Sequence, residues 1–126
     1  MSESPSIKES AVSFLQLAAS GRAPEAFERF VAAGFKHHNP WFRGDAQSLM
    51  NAMQENAQKN PGKVFEVQRA IQEGLLVAVH SRVRQRPEDA GASVVHFFRF
   101  EGTRITELWD IGQAQPAEMI NEHGMF

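Results

Sequence analysis

Two side chains near the carboxyl end of the chain, His96 and Asp110, are the ones best suited to chemistry. They lie in two β-patterned runs within residues 93–112, and along each run apolar and polar residues alternate. An unpaired carboxylate would be costly to bury beside Leu108 and Ile111, so Asp110 needs a partner. A carboxylate close to an imidazole can act as a general base. The alternative for Asp110 is a strand-end aspartate that bonds to the backbone or to a nearby arginine.

The turn between the two runs decides whether these side chains share a face. If the loop that starts at Glu101 has two residues, His96 lies opposite Glu107 and Asp110 points to the other side. If the loop has three residues, His96 lies opposite Leu108 and on the same face as Asp110. A site built from both residues requires the longer loop.

A third polar residue, His80, lies in a β-patterned run over residues 75–85. If Arg86 pairs with Ala90 across the following turn, His80 falls opposite His96 and the two share a face. The ordinary interpretation is a strand histidine that is satisfied by hydrogen bonds and does nothing else.

His38 stands beside His37 and shortly before Pro40, which favours an extended or turned backbone. It is either a turn histidine that bonds to nearby backbone or a residue that faces a pocket. Adjacent residues of an extended chain point to opposite sides, so the two neighbouring histidines do not easily bind one metal. A metal site built from His38, His80 and His96 is a third, weaker interpretation.

Three helices and then four strands are predicted to position these residues. Apolar residues at helical spacing indicate helices that end near Gly21, Gly34 and Asn60, the second starting at Pro24 and the third capped by Asp45. From residue 63 onward the period changes to two, and short turns join the strands. Helices that precede an antiparallel meander make an α+β domain with helices on one face of the sheet.

The composition excludes several classes of function. The chain has 126 residues, 42% of them hydrophobic, which suits one domain, and its net charge of −2 without any charged block indicates neither nucleic acid nor a membrane surface as a partner. The absence of cysteine removes disulfides, thiolate nucleophiles and cysteine-bound metal. No apolar leader or membrane-span pattern is present, so we expect a cytoplasmic protein.

The second face of the predicted sheet is apolar. Trp109 lies there with Val95 and Phe97, next to the charged pair Arg99 and Glu107. Large aromatic residues are unusual on a solvated surface, so we expect a homodimer through this outer sheet face.

The order of elements and three motifs resemble the nuclear transport factor 2-like superfamily. The motifs are HHNP after the second helix, VAVHSRV on the second long strand and ELWDIGQ on the last strand. The chain is most similar to the SnoaL-like branch, which includes polyketide cyclases and proteins labelled as aldol-condensation enzymes. The resemblance covers nearly the whole chain and implies a single SnoaL-like domain over residues 1–126. Its fold would be a cone of three helices on a curved antiparallel four-stranded sheet, often dimeric, with a pocket inside.

The resemblance also implies roles for particular residues. Asp110 would be the acid/base, which takes a proton from a carbon beside a carbonyl, and His96 would position or polarise the substrate. We expect five further residues to line an apolar pocket for a small molecule: His38, His80, Trp41, Phe98 and Leu108. No metal or organic cofactor is implied, because an acidic substrate supplies its own electron sink.

The chain also departs from its relatives. Relatives labelled as aldol-condensation enzymes often carry an acid in place of His96 and a histidine in place of Leu108. The absence of tyrosine removes the phenolic donor of the ketosteroid isomerases. We therefore expect an aldol-type cyclisation, condensation or isomerisation of a carbonyl compound. The alternative is a non-catalytic ligand-binding or dimerisation module, because one fold can host many functions.

Overall fold

Residues 5–126 are described by the structure, a computed structural model, and this part of the chain forms three helices and five strands. In chain order these elements are α1 (Ile7–Ala19), α2 (Ala23–Phe30), β1 (Val31–His37), α3 (Ala46–Lys59), β2 (Val64–Glu73), β3 (Leu76–Arg84), β4 (Ala92–Glu101) and β5 (Arg104–Ala114). No helix within residues 5–126 has the length and apolar character needed to cross a membrane. The cytoplasmic location stays a prediction.

The second and third helices begin where the sequence predicts, and each of the three starts carries a suitable residue. At α1 the Ser6 hydroxyl accepts from the Glu9 amide at 3.1 Å, and the Glu9 carboxylate accepts from the Ser6 amide at 3.2 Å. Pro24 lies in the first turn of α2, where its missing N–H costs nothing. The Asp45 carboxylate caps α3 by accepting from the Ser48 amide at 2.9 Å.

The second helix ends at Phe30 rather than near Gly34, because the chain turns directly into a strand. Val31 has extended torsions (φ −102°, ψ 137°), and β1 pairs in parallel with β5. The strand order is β1-β5-β4-β3-β2. The expected α+β fold and antiparallel meander are therefore confirmed, but the sheet has five strands rather than four, the fifth being a parallel edge strand.

The turn between β4 and β5 differs from both alternatives that the sequence left open. Glu101 pairs with Arg104, so Gly102 and Thr103 form a two-residue turn, and Gly102 has a φ of +58°. If this register continued along the strands, the side chains of His96 and Asp110 would point to opposite faces of the sheet.

A β-bulge corrects the register one step later. Phe100 pairs with Ile105, but the next pair is Arg99 with Glu107, so Thr106 is an extra residue in β5. Beyond the bulge His96 pairs directly with Asp110. Both predicted registers are wrong, since neither includes a bulge, although the two side chains do share a face.

An aromatic core fills one end of the face that the helices cover. The ring of Phe14 meets those of Phe27 and Phe98 edge-on, with centroids 5.2 and 5.9 Å apart. Phe100 and Ile105 are fully buried beside them. Burying such a side chain contributes about 1.5–3 kcal/mol, so this cluster anchors α1 and α2 to the sheet.

We predict that Gly91→Ala destabilises the protein more than Gly74→Ala. Both glycines have positive φ, but a Cβ at Gly91 would lie 2.6 Å from the Val83 carbonyl oxygen, whereas one at Gly74 would meet nothing within 4 Å. Each alanine carries a conformational cost of about 1–2 kcal/mol, and only Gly91→Ala adds a steric clash. Urea unfolding measures the difference; equal losses would show that the backbone at Gly91 can shift freely.

Candidate functional site

A cavity of about 300 Å³ lies between the helices and the inward face of the sheet, at the end that the aromatic core leaves open. Its apolar wall comes mainly from Leu15, Ala18, Met53, Phe65, Val83 and Val94. The polar side chains that reach it are those of Asn39, Asn56, Lys63, Gln85, His96 and Asp110. A concave surface with a few converging polar groups is typical of small-molecule sites.

His96 and Asp110 meet in this cavity from neighbouring strands. They form a directly opposed pair of β4 and β5. The His96 ring is buried between the rings of Phe65 and Phe98, with centroids 6.2 Å from each. Its Nδ1 is buried and has no hydrogen-bond partner among the described residues. Such groups are rare in folded proteins and often mark a functional site.

Asn39 holds the carboxylate of Asp110. Its side-chain amide donates to Asp110 Oδ2 at 3.0 Å, while its own Oδ1 accepts from the Trp41 amide at 2.9 Å. The backbone amide of Asn39 donates to His37 Nδ1 at 3.1 Å, and His37 Nε2 donates to the Arg43 carbonyl at 2.5 Å. Asp110 Oδ1 makes no hydrogen bond within residues 5–126, which leaves it available to a ligand.

Burial keeps His96 neutral. It lowers the pKa of the imidazole to about 4, against an opposing effect of the Asp110 charge, and the charge of Lys63 lowers the pKa further. At neutral pH the site therefore contains a neutral imidazole next to the side chain of Asp110.

Lys63 and Asn56 complete the polar wall on the opposite side of the cavity. Lys63 Nζ donates to Asn56 Oδ1 at 2.7 Å, and burial lowers the pKa of the lysine. Asn39, Asn56 and Lys63 were not predicted from the sequence as residues of the site. Only Asn39 carried a signal, since it belongs to the HHNP motif. Asn56 and Lys63 are brought together by the turn between α3 and β2, where the Lys63 backbone amide donates to the Asn60 carbonyl at 2.9 Å.

His38 does not face the cavity, contrary to one expectation from the sequence. His37 points inward, so its neighbour points outward. There His38 Nε2 donates to Glu107 Oε2 at 2.6 Å, and the ring stacks on Trp109 with centroids 5.0 Å apart.

His80 also lies on the outer face, because Val79 and not His80 pairs with His96. The predicted pairing of Arg86 with Ala90 is wrong by one residue, which reverses the face. His80 Nε2 donates to Ser93 Oγ at 2.7 Å. A metal site built from His38, His80 and His96 is therefore wrong, since the sheet separates them, and no other cluster of metal-ligating residues occurs within residues 5–126.

The other three predicted pocket residues lie at different depths. Phe98 and Leu108 are buried in the core, 0% and 1% exposed, and do not line the cavity. Trp41 is 84% exposed and lies beside a second depression, which shares Asn39, Val94 and Asp110 with the cavity. Asp110 thus stands where the inner cavity meets the surface, and Trp41 stands at its mouth.

Comparisons with known proteins agree with this architecture. A family model described as SnoaL-like domain matches residues 11–108. No curated protein sequence matches the chain.

Three solved structures illustrate the similarity in fold. An NTF2-like protein of unknown function from Cytophaga hutchinsonii is 16% identical and covers 90% of this chain and 95% of its own, with a TM-score of 0.71. A proposed polyketide cyclase from Acidithiobacillus ferrooxidans is 21% identical (90% and 92% covered, TM-score 0.67). IdmH, a proposed polyketide cyclase from Streptomyces antibioticus, is 18% identical (86% and 93% covered, TM-score 0.68). At these identities the matches show the fold alone.

We predict that His96 makes the protein less stable as the pH falls from about 6.5 to about 4. The unfolded chain binds a proton on His96 near its ordinary pKa, whereas the folded protein binds it only near pH 4. Above pH 6.5 both states are neutral and the contribution is complete. Across the window, the difference in unfolding free energy between wild type and His96→Gln should change by roughly 2–4 kcal/mol.

Urea unfolding at pH 7.5, 6, 5 and 4 measures this effect. His123→Gln serves as the control, because it removes an exposed histidine of the tail and should leave the profile unchanged. A His96→Gln profile parallel to that of wild type would contradict the assignment.

Proposed function

We propose that this chain, which belongs to the SnoaL-like domain family, is a small-molecule enzyme that performs acid–base chemistry on a carbonyl compound. The observation that carries the proposal is the direct pairing of His96 with Asp110 at one cavity, with Asn39 holding the carboxylate. A positioned base, a neutral donor and a partly enclosed volume are the parts that such chemistry needs.

Asp110 would act as the general base. One of its oxygens is held by Asn39, so the other is oriented to take a proton from the carbon next to a substrate carbonyl. The electron pair of the broken C–H bond moves onto the carbonyl oxygen and forms an enolate. The substrate carbonyl is the electron sink, so the step needs no other acceptor.

His96 would stabilise the enolate oxygen. A neutral imidazole can donate one hydrogen bond to a carbonyl without giving up a proton. Burial strengthens this bond, because little water competes for the oxygen.

The proton returns at the end of the reaction. In an aldol step the enolate carbon attacks a second carbonyl, a C–C bond forms, and the new alkoxide takes the proton from the Asp110 carboxylic acid. In an isomerisation the proton returns to a different carbon. Cyclisation of a polyketide, the activity proposed for two of the similar structures, is an aldol step within one molecule.

We predict that Asp110→Asn slows proton exchange by about 10²–10⁴-fold, because the amide cannot accept a proton. The assay is deuterium incorporation beside the carbonyl of a panel of small ketones in D₂O, followed by proton NMR. Asp89→Asn is the matched control, since Asp89 bonds to the Arg86 amide in the β3–β4 turn.

Circular dichroism would establish that the variants fold. Equal exchange rates in wild type and Asp110→Asn would remove Asp110 from the mechanism. Absence of exchange with every ketone, together with ligand binding, would favour the alternative of a non-catalytic binding module.

We further propose that the outer face of the sheet forms a homodimer. This face has a depression lined by Leu76, Phe97, Trp109 and Ile111. The side chain of Ile111 is 64% exposed there. Charges of both signs border it, since Arg99 and Glu107 lie 3.5 Å apart at its edge. An apolar centre with both signs at its rim suits a two-fold contact with a second copy.

We predict that Phe97→Glu converts the dimer to a monomer, because it would bury a charge in the apolar centre. Size-exclusion chromatography with light scattering measures the mass. Ile120→Glu is the control, as Ile120 is fully exposed in the tail and should leave the dimer intact. A monomeric wild type, or a dimeric Phe97→Glu, would contradict this interface.

A further inference from the structure

Lys63 is a cavity residue that the proposed acid–base chemistry does not use. It immediately precedes β2 and is half-buried in the cavity wall. Its ammonium group donates to a neutral amide, that of Asn56 on α3, at 2.7 Å. The lysine is therefore positioned by the fold rather than extended into solvent.

The charge of Lys63 has no protein counter-ion in the part of the chain that the structure describes. No ion pair joins it to a carboxylate of residues 5–126, and the acid of the cavity, Asp110, bonds to Asn39 instead. An ammonium group has three donors, of which Asn56 occupies one. A half-buried charge with free donors is costly unless a ligand completes it, and burial has already lowered the pKa of this lysine.

We propose that Lys63 binds the carboxylate of an organic acid, which makes the preferred ligand a small keto acid. A monoanion matches a single cation, whereas a doubly charged phosphate would leave one negative charge uncompensated. The inference that the ligand carries a ketone rests on the proposed function, whereas the inference that it carries a carboxylate rests on Lys63 alone. The cavity of about 300 Å³ lies at the small end of ligand sites and suits such a compound.

The sheet sets the spacing between the two ends of this ligand. Lys63 belongs to the β2 side of the cavity and Asp110 to β5, and the strands β3 and β4 lie between them. Strand spacing alone separates the backbones of Lys63 and Asp110 by roughly 14 Å. Even with the long lysine side chain extended, a gap that spans several bonds of a ligand remains between the ammonium group and the carboxylate of Asp110. The carboxylate therefore lies at the far end of the molecule from the carbon that reacts.

The test compares 6-oxoheptanoate with its neutral amide, 6-oxoheptanamide, which has nearly the same size. Isothermal titration calorimetry at neutral pH and low salt gives Kd for wild type, Lys63→Gln and Lys59→Gln. Lys59→Gln removes the same charge from an exposed residue of α3 that pairs with Glu55 outside the cavity.

We expect wild type to bind the acid about ten- to a hundredfold more tightly than the amide, as for one charge-assisted hydrogen bond. Lys63→Gln should bind the two probes equally, and Lys59→Gln should keep the preference. Equal binding of both probes by wild type, a preference that survives in Lys63→Gln, or no binding of either probe would overturn the inference. The comparison of the two probes in wild type decides even if a variant fails to fold.

Probe binding and proton exchange, both measured on wild type, separate this inference from the proposed function. If wild type prefers the acid but exchanges no protons, the proposed enzymatic activity is refuted and the Lys63 site is supported. If wild type exchanges protons but does not prefer the acid, the proposed activity is supported and the Lys63 site is refuted.

Discussion

The β-bulge at Thr106 is the constraint on which the candidate site depends. The turn alone starts β5 in a register that would put His96 opposite Trp109 and turn Asp110 to the outside. The extra residue shifts β5 by one position, and because side chains alternate along a strand, this shift reverses every face beyond it. Ile105 remains in the core on one side of the bulge, and Asp110 enters the cavity on the other.

Burial explains why the polar groups of the cavity work as a set. His96 lies between a negative and a positive neighbour, Asp110 and Lys63, whose effects on its pKa oppose each other. The loss of solvent has the largest effect, so the imidazole stays neutral and can act as a donor without becoming a competing charge. Asn39 supplies a hydrogen bond to the carboxyl group of Asp110 without adding a charge to the cavity.

The sequence predicts elements better than registers, and the difference is physical. Helix starts depend on local residues such as Asp45, so they can be read directly, whereas the alternation of β4 and β5 left open whether His96 and Asp110 share a face. Pairing between strands depends on turns and bulges, where an error of one residue moves His80 to the wrong face. The strand β1 was missed because its alanines and Gly34 have little strand preference; pairing with β5 stabilises it.

The outer face of the sheet helps to build the inner site. His38 was expected in the pocket, but its contacts with Trp109 and Glu107 fix the backbone on the outside of β5. The next residue in the chain is Asn39, whose side-chain amide donates to the carboxylate of Asp110 at the cavity. Stacking on one face therefore holds in place the hydrogen bond on the other. The residues around Trp109 thus belong to the proposed dimer surface and also support the position of the base. A partner that contacts the outer face would therefore be connected to the cavity by one peptide bond, the bond that joins His38 to Asn39.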